Sequence, residues 1–281
     1  MTVEVGPGAF RGRIDCRGQG HVTFRGQGRA VSQLVGTVDE FPFATIRADN
    51  CVALRFEHLS VLAPHSHTGR GKAVRWLRGG DSRWSDVALE AEYIAWYDSG
   101  CAPGNGMPPV GDHRFEHVSI RAGALGYFSD CGHGRLSDSE ILVAASPTTV
   151  LPRLERALPR VVAGVKASHR SHVELRGCRV SVDGTAAARA SQTVGLVAGA
   201  GGNEHPVGAG LLELHGGLLR VLGSGAAPVF GARADRFGQR GAPPAHVRIV
   251  GATLELQRGG GPVSERSAGD GVVEWREGAA P

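Results

Sequence analysis

Between Ala44 and Val143 the apolar and polar positions repeat one short pattern four times: an apolar residue, any residue, His or Asp, two more residues, and an apolar residue. The copies are Phe56-Glu-His58-Leu-Ser-Val61, Trp84-Ser-Asp86-Val-Ala-Leu89, Phe115-Glu-His117-Val-Ser-Ile120 and Leu136-Ser-Asp138-Ser-Glu-Ile141. Each predicts a short extended segment, a polar or small residue at a turn, and a second extended segment. Three later copies carry glycine in the third place: Leu175-Arg-Gly177-Cys-Arg-Val180, Leu214-His-Gly216-Gly-Leu-Leu219 and Ile249-Val-Gly251-Ala-Thr-Leu254. The seven starts stand at 56, 84, 115, 136, 175, 214 and 249, at intervals of 28, 31, 21, 39, 39 and 35 residues. Self-similarity of this kind marks a solenoid, in which each rung stacks on the next at about 4.8 Å and buries its inward side chains in a continuous column. The shortest interval fits one bare turn of a parallel β-helix; the others fit one turn plus a loop, or nearly two turns. A β-sandwich would need hairpin turns at roughly 8–12-residue spacing. No Asn-Gly or Asp-Gly stands between paired alternating runs: Asn105-Gly106 lies in a proline-rich loop and Asp183-Gly184 precedes an alanine-rich stretch. The expected fold is therefore all-β, a single-stranded parallel β-helix.

The flanking segments extend this reading. Val3–Val5, Phe10–Cys16 and His21–Phe24 alternate like strands, and Ala44–Val61 is expected to hold two strands around Asp49-Asn50. The Gly100–Val110 segment is too rich in proline and glycine to be core. Pro147, Pro152 and Pro159 bracket Thr148-Thr-Val-Leu151 and Arg153–Leu158 in an excursion over 145–160, within which one helical turn is expected. No linker marks a boundary, so one β-helix domain is expected over residues 1–281, with regular rungs at about 3–143 and 165–257. A loose tail over 258–281 is expected to carry a last strand at Val272–Trp275.

Composition narrows the function classes. Forty-three glycines in 281 residues suit an all-β repeat with many short turns, and no Gly-X-Y period is present. The net charge is +4, but the basic residues are scattered, with no run of five and no basic stripe interleaved with aromatics. That argues against nucleic acid as a partner, whereas diffuse positive charge suits an acidic polysaccharide. Five cysteines without a CxxC pair argue against zinc and read as small buried hydrophobes. No cofactor is expected. No apolar run reaches the length of a membrane span, and Met1-Thr-Val-Glu-Val opens directly as a strand, without the pattern of a signal peptide.

Several stretches resemble a known family. Val5-Gly-Pro-Gly-Ala-Phe-Arg11 resembles the "V-x-P-G-x-Y-x-E" opening of the pectin methylesterases, and His21-Val-Thr-Phe-Arg-Gly-Gln-Gly28 resembles their "I-T-L-x-G-x-G" strand and turn. Lys72-Ala-Val74 with Gly80-Asp81 falls on "Q-A-V-A-L" and "G-D", and Ala91 to Asp98 falls on "G-Y-Q-D-T-L-Y-D". His113 to Ile120 falls on "Q-Y-F-R-D-C-x-I", and Ala124 to Ser129 on "V-D-F-I-F-G". The resemblance runs in order over about residues 3–143 and implies a right-handed parallel β-helix acting on pectin outside the cell. That family hydrolyses esters with a nucleophilic and an acid/base aspartate, an oxyanion hole of glutamines and a late arginine. Here the two aspartates fall on Ile94 and Leu125, and the glutamines on Lys72 and Tyr93. The late "G-R-P-W" has only Phe230-Gly-Ala-Arg-Ala234 as a stand-in. Isoleucine and leucine neither move a proton nor attack a carbonyl, so the resemblance implies the scaffold without its ester chemistry.

Other residues near that site offer chemistry. Trp96 and Tyr97 suit stacking on sugar rings, with Lys72 and Arg135 as further binding residues. Asp98 suits a general acid/base, a turn cap being its plainer role. Ser129-Asp130-Cys131-Gly132-His133-Gly134 holds Asp130 and His133 three apart in a glycine-rich turn, spaced to pair as base and orienter. Its Gly-His-Gly is similar to a motif of the polygalacturonases, and a Cys131–His133 nucleophile pair is the thinner alternative. His65 and His67, with Lys72 and Asp81, are a weak metal candidate. Three functions stay open: a polysaccharide- or oligosaccharide-binding protein without the family's catalysis; a glycoside hydrolase or lyase with a relocated site at Asp98, Asp130 and His133; or a structural β-helix. An enzyme should bring two of those three residues together in one groove, and a binding protein should expose Trp96 or Tyr97 there.

Overall fold

The structure, a computed structural model, describes the chain except residues 19, 38–43, 52, 64–68, 100–110, 131, 153–159, 200–208, 226, 236–242, 261–262, 269 and 278–281, and describes the backbone alone at 50, 78–79, 224, 258–260, 263 and 265–268. Among the described residues there are 28 strands and no helix. They form three all-parallel sheets of ten, nine and nine strands. The chain visits sheets 1, 2 and 3 in rotation and closes with Val272–Arg276 back in sheet 1. This is a right-handed parallel β-helix, the hand that right-twisted parallel strands favour.

The repeat read from the sequence is the corner between sheets 1 and 2. Its first apolar residue points into the column from sheet 1, and these residues stack in register from Phe24 through Phe56, Trp84 and Phe115 to Leu136, Leu175, Leu214 and Ile249. The rings lie face to face, with centroids 5.0 Å apart for Phe24–Phe56 and 4.1 Å for Phe56–Trp84. Its last apolar residue fills the column from sheet 2: Val61, Leu89, Ile120, Ile141, Val180, Leu219 and Leu254 form one row. The third residue turns the chain through the left-handed region. His58, Asp86, His117 and Asp138 have φ of 55°, 51°, 53° and 47°, and Gly177, Gly216 and Gly251 have 60°, 65° and 66°. Glycine meets no steric cost there. His and Asp do, by about 1–2 kcal/mol each, and at one rung the side chains recover part of it: Asp86 accepts from His58 Nδ1 at 3.0 Å and from Arg29 Nε at 2.6 Å.

Each interval between repeats is one coil; the extra length sits at the other two corners. The turn expected at Asp49-Asn50 is absent, because Ala44–Cys51 is one continuous strand and the chain turns at Ala53, with φ 50°. The tail is not loose from 258 onward: strands cover Thr253–Gly260, Val263–Ala268 and Val272–Arg276. Cys16 and Cys51, expected as free hydrophobes, are joined in a disulfide, while Cys178 is free and buried as expected. The described part of the 145–160 excursion, residues 145–152 and 160, holds no helix; residues 153–159 lie outside the described residues, as do Cys131, His65, His67 and the proline-rich loop.

Sheet 3 carries a small residue at one place in successive strands, among them Ala73, Ala95, Gly126, Gly164 and Gly195. The crowding explains it. A Cβ on Gly195 would lie 2.6 Å from the Gly231 carbonyl oxygen and 2.6 Å from Leu219 Cδ1 of sheet 2.

Candidate functional site

The sequence-predicted site residues fall in three places: inside the column, on the outer side of sheet 3, and on the outer face of sheet 1. Trp96 is fully buried in the column, its ring stacked at 6.0 Å on Trp76 and 5.8 Å on Tyr127. It is core, and the expectation of a sugar-stacking Trp96 is corrected. Asp98 is also wholly buried. Its Oδ1 accepts the backbone N–H of Asp130 at 2.9 Å and its Oδ2 faces Trp96 Nε1 at 3.4 Å. Burial pushes its carboxyl up to about 6 against the hydrogen bonds it accepts. Asp98 therefore caps the corner of the following coil, one rung away from the turn at Ser99-Gly100 that the sequence predicts it to cap, and has no exposed surface.

Lys72 and Tyr97 lie on the outer side of sheet 3, where two rows run in register. One is Lys72, Ile94, Leu125, Ala163, Val194 and Phe230; the other is Arg47, Arg75, Tyr97, Phe128, Lys166, Val197 and Arg233. The middle of both rows forms an apolar cluster separate from the column: Ile94, Leu125, Phe128, Val161, Ala163, Val194 and Val197. Half-buried Tyr93 and Tyr97 pack on it, and the Lys72 ammonium sits 5.4 Å and 5.9 Å from their ring centroids. Burial, reinforced by Arg75 and Arg70, lowers the Lys72 pKa to about 8. The Nε of Arg75 is buried and has no hydrogen-bond partner among the described residues.

Asp130 closes this side at the corner after sheet 3. Its Oδ1 accepts from Ser168 Oγ at 2.8 Å and from His169 Nδ1 at 2.9 Å. Burial works to raise its pKa, but the hydrogen bond and charge of His169, the charge of Lys166 and the Ser168 hydroxyl hold it below the usual aspartate value. Lys166 is almost fully buried, with Nζ 4.5 Å from the Phe128 ring centroid. The histidine that Asp130 orients is thus His169, not His133. The predicted pairing failed because a rung is stabilised sideways: residues one coil apart touch, while Asp130 and His133 three apart in sequence diverge onto different sheets.

His133 and Arg135 stand on the outer face of sheet 1. His133 Nδ1 lies 3.3 Å from Asp112 Oδ1 on the preceding rung. Arg135 is the last of four arginines, Arg55, Arg83, Arg114 and Arg135, that occupy one register row on consecutive rungs and are all exposed. They line a shallow groove whose second outward row is Glu57, Ser85, Glu116 and Ser137. Arg114 has Asp112 at 4.0 Å; the side chains of Arg55, Arg83 and Arg135 make no hydrogen bond or ion pair among the described residues. Like charges one rung apart cost about 0.8 kcal/mol per neighbouring pair in water. The sequence held the signal for this row, since each of the first four repeats has arginine directly before its first apolar residue. His169, Lys166 and Arg75 carried no comparable signal.

Among the described residues no three of His, Cys, Asp and Glu gather to hold a metal ion, and no helix is long and apolar enough to cross a membrane. Compared with known proteins, the chain matches no family model, no curated protein and no solved structure.

Proposed function

We propose that this chain is a pectin methylesterase-related β-helix that binds an acidic polysaccharide on the outer side of sheet 3 and lacks that family's ester chemistry. The observation that carries the reading is register. Lys72, Ile94 and Leu125, which the resemblance equates with a glutamine and the two aspartates, are lateral neighbours on consecutive rungs. Residues that once shared a site would stack in this way, and random alignment over unequal loops would not produce it. At those places the chain has an apolar cluster bordered by Lys72, Arg75, Tyr93 and Tyr97: cations for carboxylates, and rings for sugar faces. The unbroken order of the three sheets supports reading residues 1–281 as one β-helix domain. The Cys16–Cys51 disulfide fits the oxidising surroundings in which such polymers occur.

The test is calorimetric titration with polygalacturonate, beside assays for methanol release from its methyl ester. Wild type should bind and release no methanol, and Tyr97→Ala with Lys72→Met should weaken binding by on the order of tenfold. Unchanged affinity in that double variant, or ester hydrolysis by wild type, would overturn the proposal. The oriented Asp130–His169 pair favours a second reading, a glycoside hydrolase or lyase with a relocated site. Depolymerisation of polygalacturonate that disappears in His169→Ala would establish it.

A further inference from the structure

The arginine row of sheet 1 lies on a different sheet from the sheet 3 site and calls for its own account. We infer that the outer face of sheet 1 is a second, open binding strip for a linear carboxylated polysaccharide, with Arg55, Arg83, Arg114 and Arg135 each taking one carboxylate. This inference stands independently of the sheet 3 reading.

Four features define the ligand. The four arginines leave the sheet one rung apart, about 4.8 Å, in one straight row on long side chains. They therefore suit a polymer with one anion per repeat and a short, regular repeat, and one residue of an extended 1,4-linked pyranose chain advances by about one rung. Nucleic acid fits poorly. The aromatics of these strands, Phe56, Trp84 and Phe115, point into the column, so the face has no stacking platform for bases. The adjoining outward row supplies Glu57, Ser85, Glu116 and Ser137, whose oxygens accept hydroxyl hydrogen bonds from a sugar.

The strip also has ends. In the same row Thr23 precedes Arg55, and Glu174 and Glu213 follow Arg135. Beyond that point the charges satisfy one another: Arg176 donates to Glu174 at 2.7 Å, and Arg248 donates to Glu213 at 2.8 Å and to Glu274 at 3.2 Å. The cationic row spans three intervals, about 14 Å, with Asp112 4.0 Å from Arg114 within it. It matches four sugar residues.

The experiment compares wild type, Arg83→Glu/Arg114→Glu and Tyr97→Ala/Lys72→Met in binding to polygalacturonate, to its fully methyl-esterified form, to uronate oligomers of increasing length, and to a single-stranded oligonucleotide. Circular dichroism verifies folding, and the exposed positions make retention of the fold the expected result; Arg83→Lys/Arg114→Lys serves as a charge-conserving control. Expected are the loss of one class of sites from the calorimetric stoichiometry in the Glu variant, with the sheet 3 sites retained, and, for the class lost, no detectable binding to the ester, affinity that climbs up to about four residues, and a fall of roughly ten- to fifty-fold between about 50 and about 200 mM salt. Equal binding of acid and ester by that class, unchanged stoichiometry and affinity in the arginine-to-glutamate variant, or tighter binding of the oligonucleotide would each overturn the inference. Because the sheet 3 variant leaves the arginines intact, loss of binding in only one of the two variants separates failure of this strip from failure of the sheet 3 site.

Discussion

Asp98 gives the fold a pH dependence that can be isolated. Its carboxyl is wholly buried in the column and titrates at about 6, against 3.8 for an unburied aspartate. The folded state therefore holds this proton more tightly than the unfolded chain. The stabilising contribution is fully present below pH ~4, where both states are protonated, and is lost as pH rises through about 6. At about 1.4 kcal/mol per unit the total is about 3 kcal/mol, of which about 2 kcal/mol falls between pH ~4.5 and pH ~8. Asp130, Asp86 and Glu213, held below their ordinary values, act with the opposite sign, so the raw profile of the wild type mixes the two. Asp98→Asn removes one titration while keeping an oxygen for the Asp130 N–H. Urea unfolding of both proteins across that range gives a difference curve in which groups not coupled to Asp98 cancel; Asp130, whose charge helps raise the Asp98 pKa, contributes the remainder. The variant should gain about 2 kcal/mol relative to wild type from the acid to the alkaline end. A difference that stays flat within about 0.5 kcal/mol would show that Asp98 does not carry the buried ionisation, and the reasoning would fail.

Two further substitutions test the packing. Trp96→Ala removes a ring that contacts Trp76, Trp84, Phe115 and Tyr127; it should lower stability by about 3–5 kcal/mol in denaturant melts, and a near-neutral result would refute its assignment to the core. Gly195→Ala places a methyl group against the Gly231 carbonyl and Leu219 and should cost about 1–3 kcal/mol, visible as a lowered Tm, whereas an unshifted Tm would mean that the strands separate without penalty.

Much of this architecture was legible in the chain, because a solenoid writes its geometry locally. The first and last apolar residues of each repeat, and the His, Asp or Gly between them, specify one corner through side-chain size and left-handed backbone, and neither depends on distant contacts. Glycine at 177, 216 and 251 could stand for His or Asp for the same reason. The strand boundaries near Asp49-Asn50 and in the tail were less legible, since a parallel strand extends wherever its lateral neighbour offers hydrogen bonds, and that neighbour is a whole coil away.

The site residues divide along the same line. Sequence alone determined the column and the corner that repeats, because those follow from residue type and local order. Only the tertiary structure decided that Trp96 and Asp98 face inward, that Asp130 meets His169 from the next coil, and that Arg55, Arg83, Arg114 and Arg135 form one row. The physical reason is that the pairs that matter are lateral: they lie one rung apart in space, while the sequence distance between them, 21 to 39 residues, is set by loops that have no part in the contact.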